Sequence, residues 1–311
     1  MSFSSETKKE LCRLTNKKEQ DDLAEGYGML LFSRCLTMSP RTVKFENTDV
    51  ARLIAEYAAQ LGGIIPEMRT KFHSRLHSGE CTFFSIPGED QRKTLLSVFG
   101  HDSGCTLINR AIAGRAPAAF LRGAFLVCGN MTDPQKEYHL ELIAGSRSLA
   151  EDLSDFISEA ARGLDFQPSV SERNSSSLLY IKDSSRIEDF LTYIGASKAS
   201  MELMQVKMYK EVMNDINRRT NFETANMDRT MSASAKQVLA IALINDTIGF
   251  SKLTPELREL CELRLENPDM SLKGLSEKLG ISRSGVNHRL RKIMQIAEDC
   301  SDSESIKELI T

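Results

Sequence analysis

Two hydrophobic periodicities alternate along the first 200 residues. Val43–Glu46 and Tyr138–Glu141 alternate apolar and polar side chains, the period of a half-buried strand. A helical pattern follows each, over Ala51–Leu61 and Leu149–Ile157. Phe83–Ile86 and Leu178–Ile181 read as another pair of short strands, and Leu95–Gly100 falls on Phe190–Gly195. A shift of about 95 residues superposes these pairs, so the chain carries an internal repeat, over about 20–105 and 115–200. Each copy reads helix–strand–helix–strand–strand–helix, with room for one more strand whose place the pattern leaves open. Two such units predict a pseudo-twofold α+β domain, with helices on one face of antiparallel sheets and the other faces free for a partner.

Both copies open with a helix that carries glycine. Tyr27–Ser33 sets Gly28 opposite Gly123 of the segment Ala119–Gly129. Glycine inside a helix costs about 1 kcal/mol relative to alanine, so its recurrence at matched places points to two helices in close approach.

The sharpest local pattern lies near the C-terminus, over Asp269–Ala297. Leu272, Leu275 and Leu279 recur at helical spacing, Gly280 fits a left-handed C-cap, and Ile281 plugs the turn. Ser282 is a good N-cap for a second helix whose buried stripe is predicted as Val286, Leu290, Ile293 and Ile296. Helix, glycine-centred turn, helix is the arrangement that puts its second helix into the DNA major groove. An amphipathic segment, Thr254–Leu265, supplies the supporting helix.

The charge of that second helix strengthens the reading. The formal net charge of the chain is −3, yet Ile281–Ala297 holds no acidic residue and carries Arg283, His288, Arg289, Arg291 and Lys292. Ser282, Arg283, Ser284, Asn287 and His288 cluster at its start, where an arginine can pair with guanine and an asparagine with adenine. Arg289, Arg291 and Lys292 suit phosphates, which position the protein without specifying sequence. Between the two regions, residues 201–247 form a strongly helical linker. Within it Asn217, Arg218, Arg219 and Asn221 mark either a surface loop for phosphates or a capped break between two helices.

Composition removes other classes. The seven cysteines, Cys12, Cys35, Cys81, Cys105, Cys128, Cys261 and Cys300, are scattered and form no CxxC pair, which argues against a disulfide framework and a zinc site. The first residues lack the apolar core of a signal peptide, and Val238–Ile244 is too short to span a bilayer. A cytoplasmic, nucleoid-associated protein with no cofactor, no metal and no membrane partner is expected. The expected divisions are 1–200, the linker 201–247, a helix-turn-helix domain at 248–300 and a tail at 301–311.

The paired glycine helices resemble the LAGLIDADG homing-endonuclease fold. In active members each motif helix ends with a carboxylate that helps hold Mg²⁺ for phosphodiester cleavage. The equivalent positions here are Ser33 and Cys128, and Asp133 lies past the helix end, so the resemblance implies a domain without its catalytic centre. Taken with Phe120–Leu126, Asp133-Pro134, Tyr138–Glu141, Asn217–Asn226 and Ser282–Ile293, the whole chain resembles the WhiA family of bacterial transcription regulators. That resemblance implies a degenerate LAGLIDADG-like domain joined to an all-α helix-turn-helix domain, with a role in cell division and, in sporulating relatives, sporulation. Double-stranded DNA is the expected partner, with transcription machinery or another regulator as further candidates. An active LAGLIDADG-type endonuclease and a division-linked interaction protein are the competing readings.

Overall fold

Residues 2–73, 79–101, 107–160, 168–173 and 176–300 are described by a computed structural model of the chain. The predicted tail at 301–311 and Cys105 lie outside the described residues. Two units result, 1–211 and 212–311.

The first unit opens with α1 (Phe3–Cys12) and then repeats one set of parts. Its first copy runs α2 (Glu19–Phe32), β1 (Thr42–Phe45), α3 (Thr48–Gly62), β2 (Glu67–His73), β3 (Gly79–Ser85) and α4 (Glu89–Val98). After the single turn α5 (Arg110–Ala113), the second runs α6 (Pro117–Cys128), β4 (Gly129–Met131), β5 (Leu140–Ala144), α7 (Arg147–Ala160), β6 (Ser169–Arg173), β7 (Ser176–Ile181) and α8 (Ser184–Ile194). The sheets are antiparallel, ordered β1-β3-β2 and β4-β5-β7-β6. The strand left open by the pattern is therefore β4, present only in the second copy among the described residues.

That strand alters the alignment of the copies. Thr42 pairs with Ser85, and Glu141 pairs with Tyr180. Ser85 and Tyr180 are equivalent at the 95-residue offset, so Thr42 matches Glu141, four residues further on. The expected match of Val43–Glu46 with Tyr138–Glu141 is corrected accordingly: Tyr138 and His139 precede β5, because β4 and its turn lengthen the second copy. The shift of 99 persists through the following helix. Val50, Ala51, Ile54, Tyr57 and Ala58 are buried on α3, and Leu149, Ala150, Leu153, Phe156 and Ile157 on α7. The 95-residue offset holds again at β3 and β7 and through the last helices. Gly100 (φ 68°) and Gly195 (φ 94°) both adopt the left-handed conformation. Beyond them His101 N–H donates to the Leu96 carbonyl and Ala196 N–H to that of Leu191, each at 2.8 Å.

α2 and α6 form the centre of this unit. Ala24 to Phe32 and Ala119 to Leu126 are buried without interruption, as expected for helices enclosed on all sides. Gly28 lies where a Cβ would meet the backbone of Phe120 and Ala124, and Gly123 where one would meet that of Glu25 and Met29.

α9 (Ser197–Thr247) runs 51 residues, with the division between the units inside it. The expected loop or capped break at Asn217–Asn226 is overturned, since the helix continues through it. Asparagine is a weak helix former, but no glycine or proline interrupts Ser197–Thr247 and nothing forces a break. In the second unit α10 (Pro255–Glu266), α11 (Leu272–Leu279) and α12 (Arg283–Asp299) close over a core that includes Ile241, Ile244, Leu260, Leu275, Leu290 and Ile293.

Candidate nucleic-acid interface

The turn between α11 and α12 follows from three adjacent residues. Gly280 takes φ 63°, which lets Ile281 N–H return to the Ser276 carbonyl at 3.2 Å and close α11. Ser282 then adopts an extended conformation and its Oγ accepts from Gly285 N–H at 3.1 Å, starting α12. Val286, Leu290, Ile293 and Ala297 are buried on α12, whereas Ile296 is half-buried. The fourth position of the stripe is thus Ala297, because the 3.6-residue turn brings 286, 290, 293 and 297 under one another.

The opposite face of α12 is polar and open. Ser282, Arg283, Ser284, His288, Arg291 and Lys292 are exposed and Asn287 is half-exposed. Gln295, one turn beyond Arg291, is exposed on the same face. Sequence reading passed over it because it is neither charged nor near the helix start. Arg289 departs from the expected set: its guanidinium meets Glu256 of α10 at 3.6 Å and its side chain is only 21% exposed. This arginine turns toward the supporting helix. The approach to α11 is held by Arg264, buried on α10, whose Nη1 donates to the Met270 carbonyl at 2.7 Å and to that of Pro268 at 3.3 Å. Burial lowers its pKa from the ordinary arginine value. Ser234 of α9 donates to the same Pro268 carbonyl.

Of the linker residues, Asn217, Arg218, Arg219 and Asn221 are all exposed on α9. The helical period sets Asn217, Arg218 and Asn221 to one side and turns Arg219 away.

In the first unit the two positions expected to stand where motif carboxylates would be do come together. Ser33 follows α2 and Cys128 ends α6, and both line one cavity of about 640 Å³. Neither suits Mg²⁺. The Ser33 hydroxyl is buried, donating to the Leu30 carbonyl at 2.9 Å and accepting from Cys35 N–H at 3.3 Å. Burial pushes the Cys128 thiol up to about 12, so it stays protonated, and a thiol is in any case a soft ligand. Lys8, Arg34, Arg41 and Lys44 line the same space, opposing a further cation. Asp133 is exposed in the turn after β4, where its Oδ1 accepts from Gln135 N–H at 2.9 Å. Among the described residues no group of three His, Cys, Asp or Glu side chains could hold a metal ion. Likewise, no helix of the described residues is long and apolar enough to cross a membrane.

Glu25, the nearest acid within α2, is committed elsewhere. It is buried and meets Arg122 of α6 at 2.6 Å. Asn16 joins the pair: its Nδ2 donates to Glu25 at 2.7 Å and its Oδ1 accepts from Arg122 at 2.5 Å. Desolvation works to lower the Arg122 pKa, but the hydrogen bond and charge of Glu25 hold it above the ordinary value.

Comparison with known proteins agrees with this architecture. The WhiA LAGLIDADG-like domain matches residues 117–213, and the WhiA C-terminal HTH domain matches residues 216–297. A probable cell division protein WhiA from Thermoanaerobacter sp. is 35% identical over 314 residues, covering 96% of this chain and 98% of that one. The corresponding protein of Clostridium beijerinckii is 35% identical over 319 residues, covering 98% and 100%. The crystal structure of full-length WhiA from Thermatoga maritima shares the fold, with 24% identity, a TM-score of 0.56, and coverage of 97% of this chain and 100% of that one. With one-third identity spread over almost the entire length of both partners, and with both family domains in order along it, the chain belongs to the WhiA family.

Proposed function

We propose that this protein is a sequence-specific DNA-binding transcriptional regulator linked to cell division, and to sporulation in sporulating relatives, with no catalytic activity of its own. The observation that carries the reading is the exposed face of α12: basic and amide side chains with no acid before Glu298, presented by a helix-turn-helix whose turn is held by Gly280 and Ser282. Arg283 and Asn287, near the helix start, are the base-reading residues, with Ser284 and His288 beside them. Arg291 and Lys292 hold phosphates. Arg289 has a smaller share, since Glu256 already engages it. Asn217, Arg218 and Asn221 are secondary phosphate contacts. Double-stranded DNA is the partner, which fits a nucleoid-associated protein in the cytoplasm, and transcription machinery or another regulator meets the remaining surface.

The test is selection of bound fragments from a random DNA pool by the full chain and by variants. The wild type is expected to enrich one motif. Arg283→Ala and Asn287→Ala each lose about 1–3 kcal/mol on that motif and relax the choice at one base pair. If neither variant changes the selected motif, α12 is not the reader. A pool that stays unenriched favours a division-linked interaction protein instead.

A further inference from the structure

The space where α2 and α6 end is lined mainly by bases. Besides Ser33 and Cys128, the cavity of about 640 Å³ is lined by Lys8, Arg34, Arg41 and Lys44, with Glu46 as its single carboxylate. Glu46 lies 3.6 Å from Lys44 and its charge also acts on Lys8, which leaves Arg34 and Arg41 without an opposing acid among the described residues. Lys8 on α1 is half-buried, with Phe125 beneath its ammonium at 6.0 Å, and burial pushes its pKa below the ordinary lysine value. The Cys128 thiol, protonated, offers it no counter-charge.

The backbone at Arg34 directs one of these cations to the site. Arg34 is the one non-glycine residue at positive φ among the described residues, at 61°. It follows the C-cap of α2, where a left-handed residue commonly ends a helix, though glycine is the usual occupant. Here the left-handed backbone directly after Ser33 brings the guanidinium to the cavity. Among the described residues the hydrogen bond its guanidinium makes is a long one, to the Ala144 carbonyl at 3.4 Å.

We propose that this cavity is a binding site for a small phosphate-bearing anion, gripped by Arg34, Arg41 and Lys8. Guanidinium groups match phosphate oxygens in a bidentate way, and an ammonium adds a point charge. The depression is open to solvent, with Arg34 and Arg41 exposed, and its volume of about 640 Å³ lies within the range of about 300–1,000 Å³ typical of sites for small ligands. The cations converge on this one depression from α1, the segment after α2, and the approach to β1, which suits a compact anion. A duplex backbone would instead engage cations spread along a surface, and titration with each separates the two.

The full-length protein is titrated calorimetrically at low ionic strength with inorganic phosphate and with ADP, and in parallel with a short DNA duplex. Saturable one-to-one binding of ADP or phosphate is expected, weakened at least tenfold by Arg41→Ala and by Arg34→Gly. Glycine accepts φ 61° freely, so Arg34→Gly is expected to fold with an undiminished Tm, and its loss of binding cannot be assigned to unfolding. The proposal fails if neither small probe binds, or if both variants bind them as the wild type does. It also fails if only the duplex binds and both variants weaken it, since the cavity then takes a backbone phosphate.

Discussion

Gly28 and Gly123 occupy reciprocal positions. A side chain on Gly28 would meet the Phe120 carbonyl and the Ala124 amide, and one on Gly123 would meet the Glu25 carbonyl and the Met29 amide. Residues 25 and 29 stand to 120 and 124 as Gly28 stands to Gly123, 95 places apart, so the repeat in sequence is a twofold in space. The obstacles are backbone atoms of buried helices, which cannot swing aside. Gly28→Ala and Gly123→Ala are each expected to destabilise the protein by about 1–3 kcal/mol, despite the better helix propensity of alanine. Denaturant midpoints measure this; a loss below about 0.5 kcal/mol at both sites would show that α2 and α6 are not in this contact.

The pair Glu25–Arg122 joins the same two helices by charge. Both side chains are nearly buried, at 3% and 10% exposure, and Asn16 hydrogen-bonds to each of them. Removing one partner strands the other charge away from water, so Glu25→Ala and Arg122→Ala are each expected to cost about 3–5 kcal/mol. The double variant is expected to cost less than the sum, with a coupling of about 1–3 kcal/mol. Strict additivity in that cycle would mean the two groups act separately.

How much of this was legible beforehand differs by residue. Gly28, Gly123, Gly280 and Ser282 carry their roles in their identity, since close approach, a left-handed cap and an N-cap each demand particular residue types. β4 was not legible, because three residues cannot display a period, and its presence moved the strand match from 95 to 99 residues. The continuity of α9 was obscured by its asparagines, whose helix preference is weak; the lack of glycine and proline was the better guide. Arg34 offered its charge but not its φ, which is set by how the chain leaves α2. Arg289 read as another basic residue of α12, and only the tertiary position of Glu256 distinguishes it from Arg291.

That distinction predicts a difference in salt dependence. Each phosphate neutralised lowers the slope of log affinity against log salt by about 0.9. Arg291 and Lys292 are exposed, so replacing either by alanine is expected to reduce the slope by about one unit while weakening binding evenly across sequences. Arg289→Ala is expected to change the slope less, because Glu256 lies 3.6 Å from its guanidinium. Filter-binding or anisotropy titrations over a range of KCl concentrations measure all three. Equal changes for Arg289 and Arg291 would mean Glu256 releases its partner on DNA, and a flat wild-type titration would remove α12 from phosphate contact.

The first unit is expected not to cut DNA. Cleavage by this fold needs a divalent cation held between oxygens at the ends of both motif helices, open to water and to the scissile phosphate. Ser33 and Cys128 stand at those ends: a hydroxyl already engaged with Leu30 and Cys35, and a thiol that burial keeps protonated up to about 12. Four basic side chains line the same cavity and would repel the ion. The acids that could substitute are occupied or misplaced, Glu25 by Arg122 and Asp133 by its own exposed turn. The fold tolerates this, because the glycines that allow α2 and α6 to approach are independent of what ends those helices. Supercoiled plasmid carrying the selected site is therefore expected to remain intact with excess protein in Mg²⁺ or Mn²⁺, under conditions in which gel shift shows it bound. Nicking that copurifies with the protein and disappears in Asp133→Asn would reinstate a nuclease, since no contaminant would respond to that substitution.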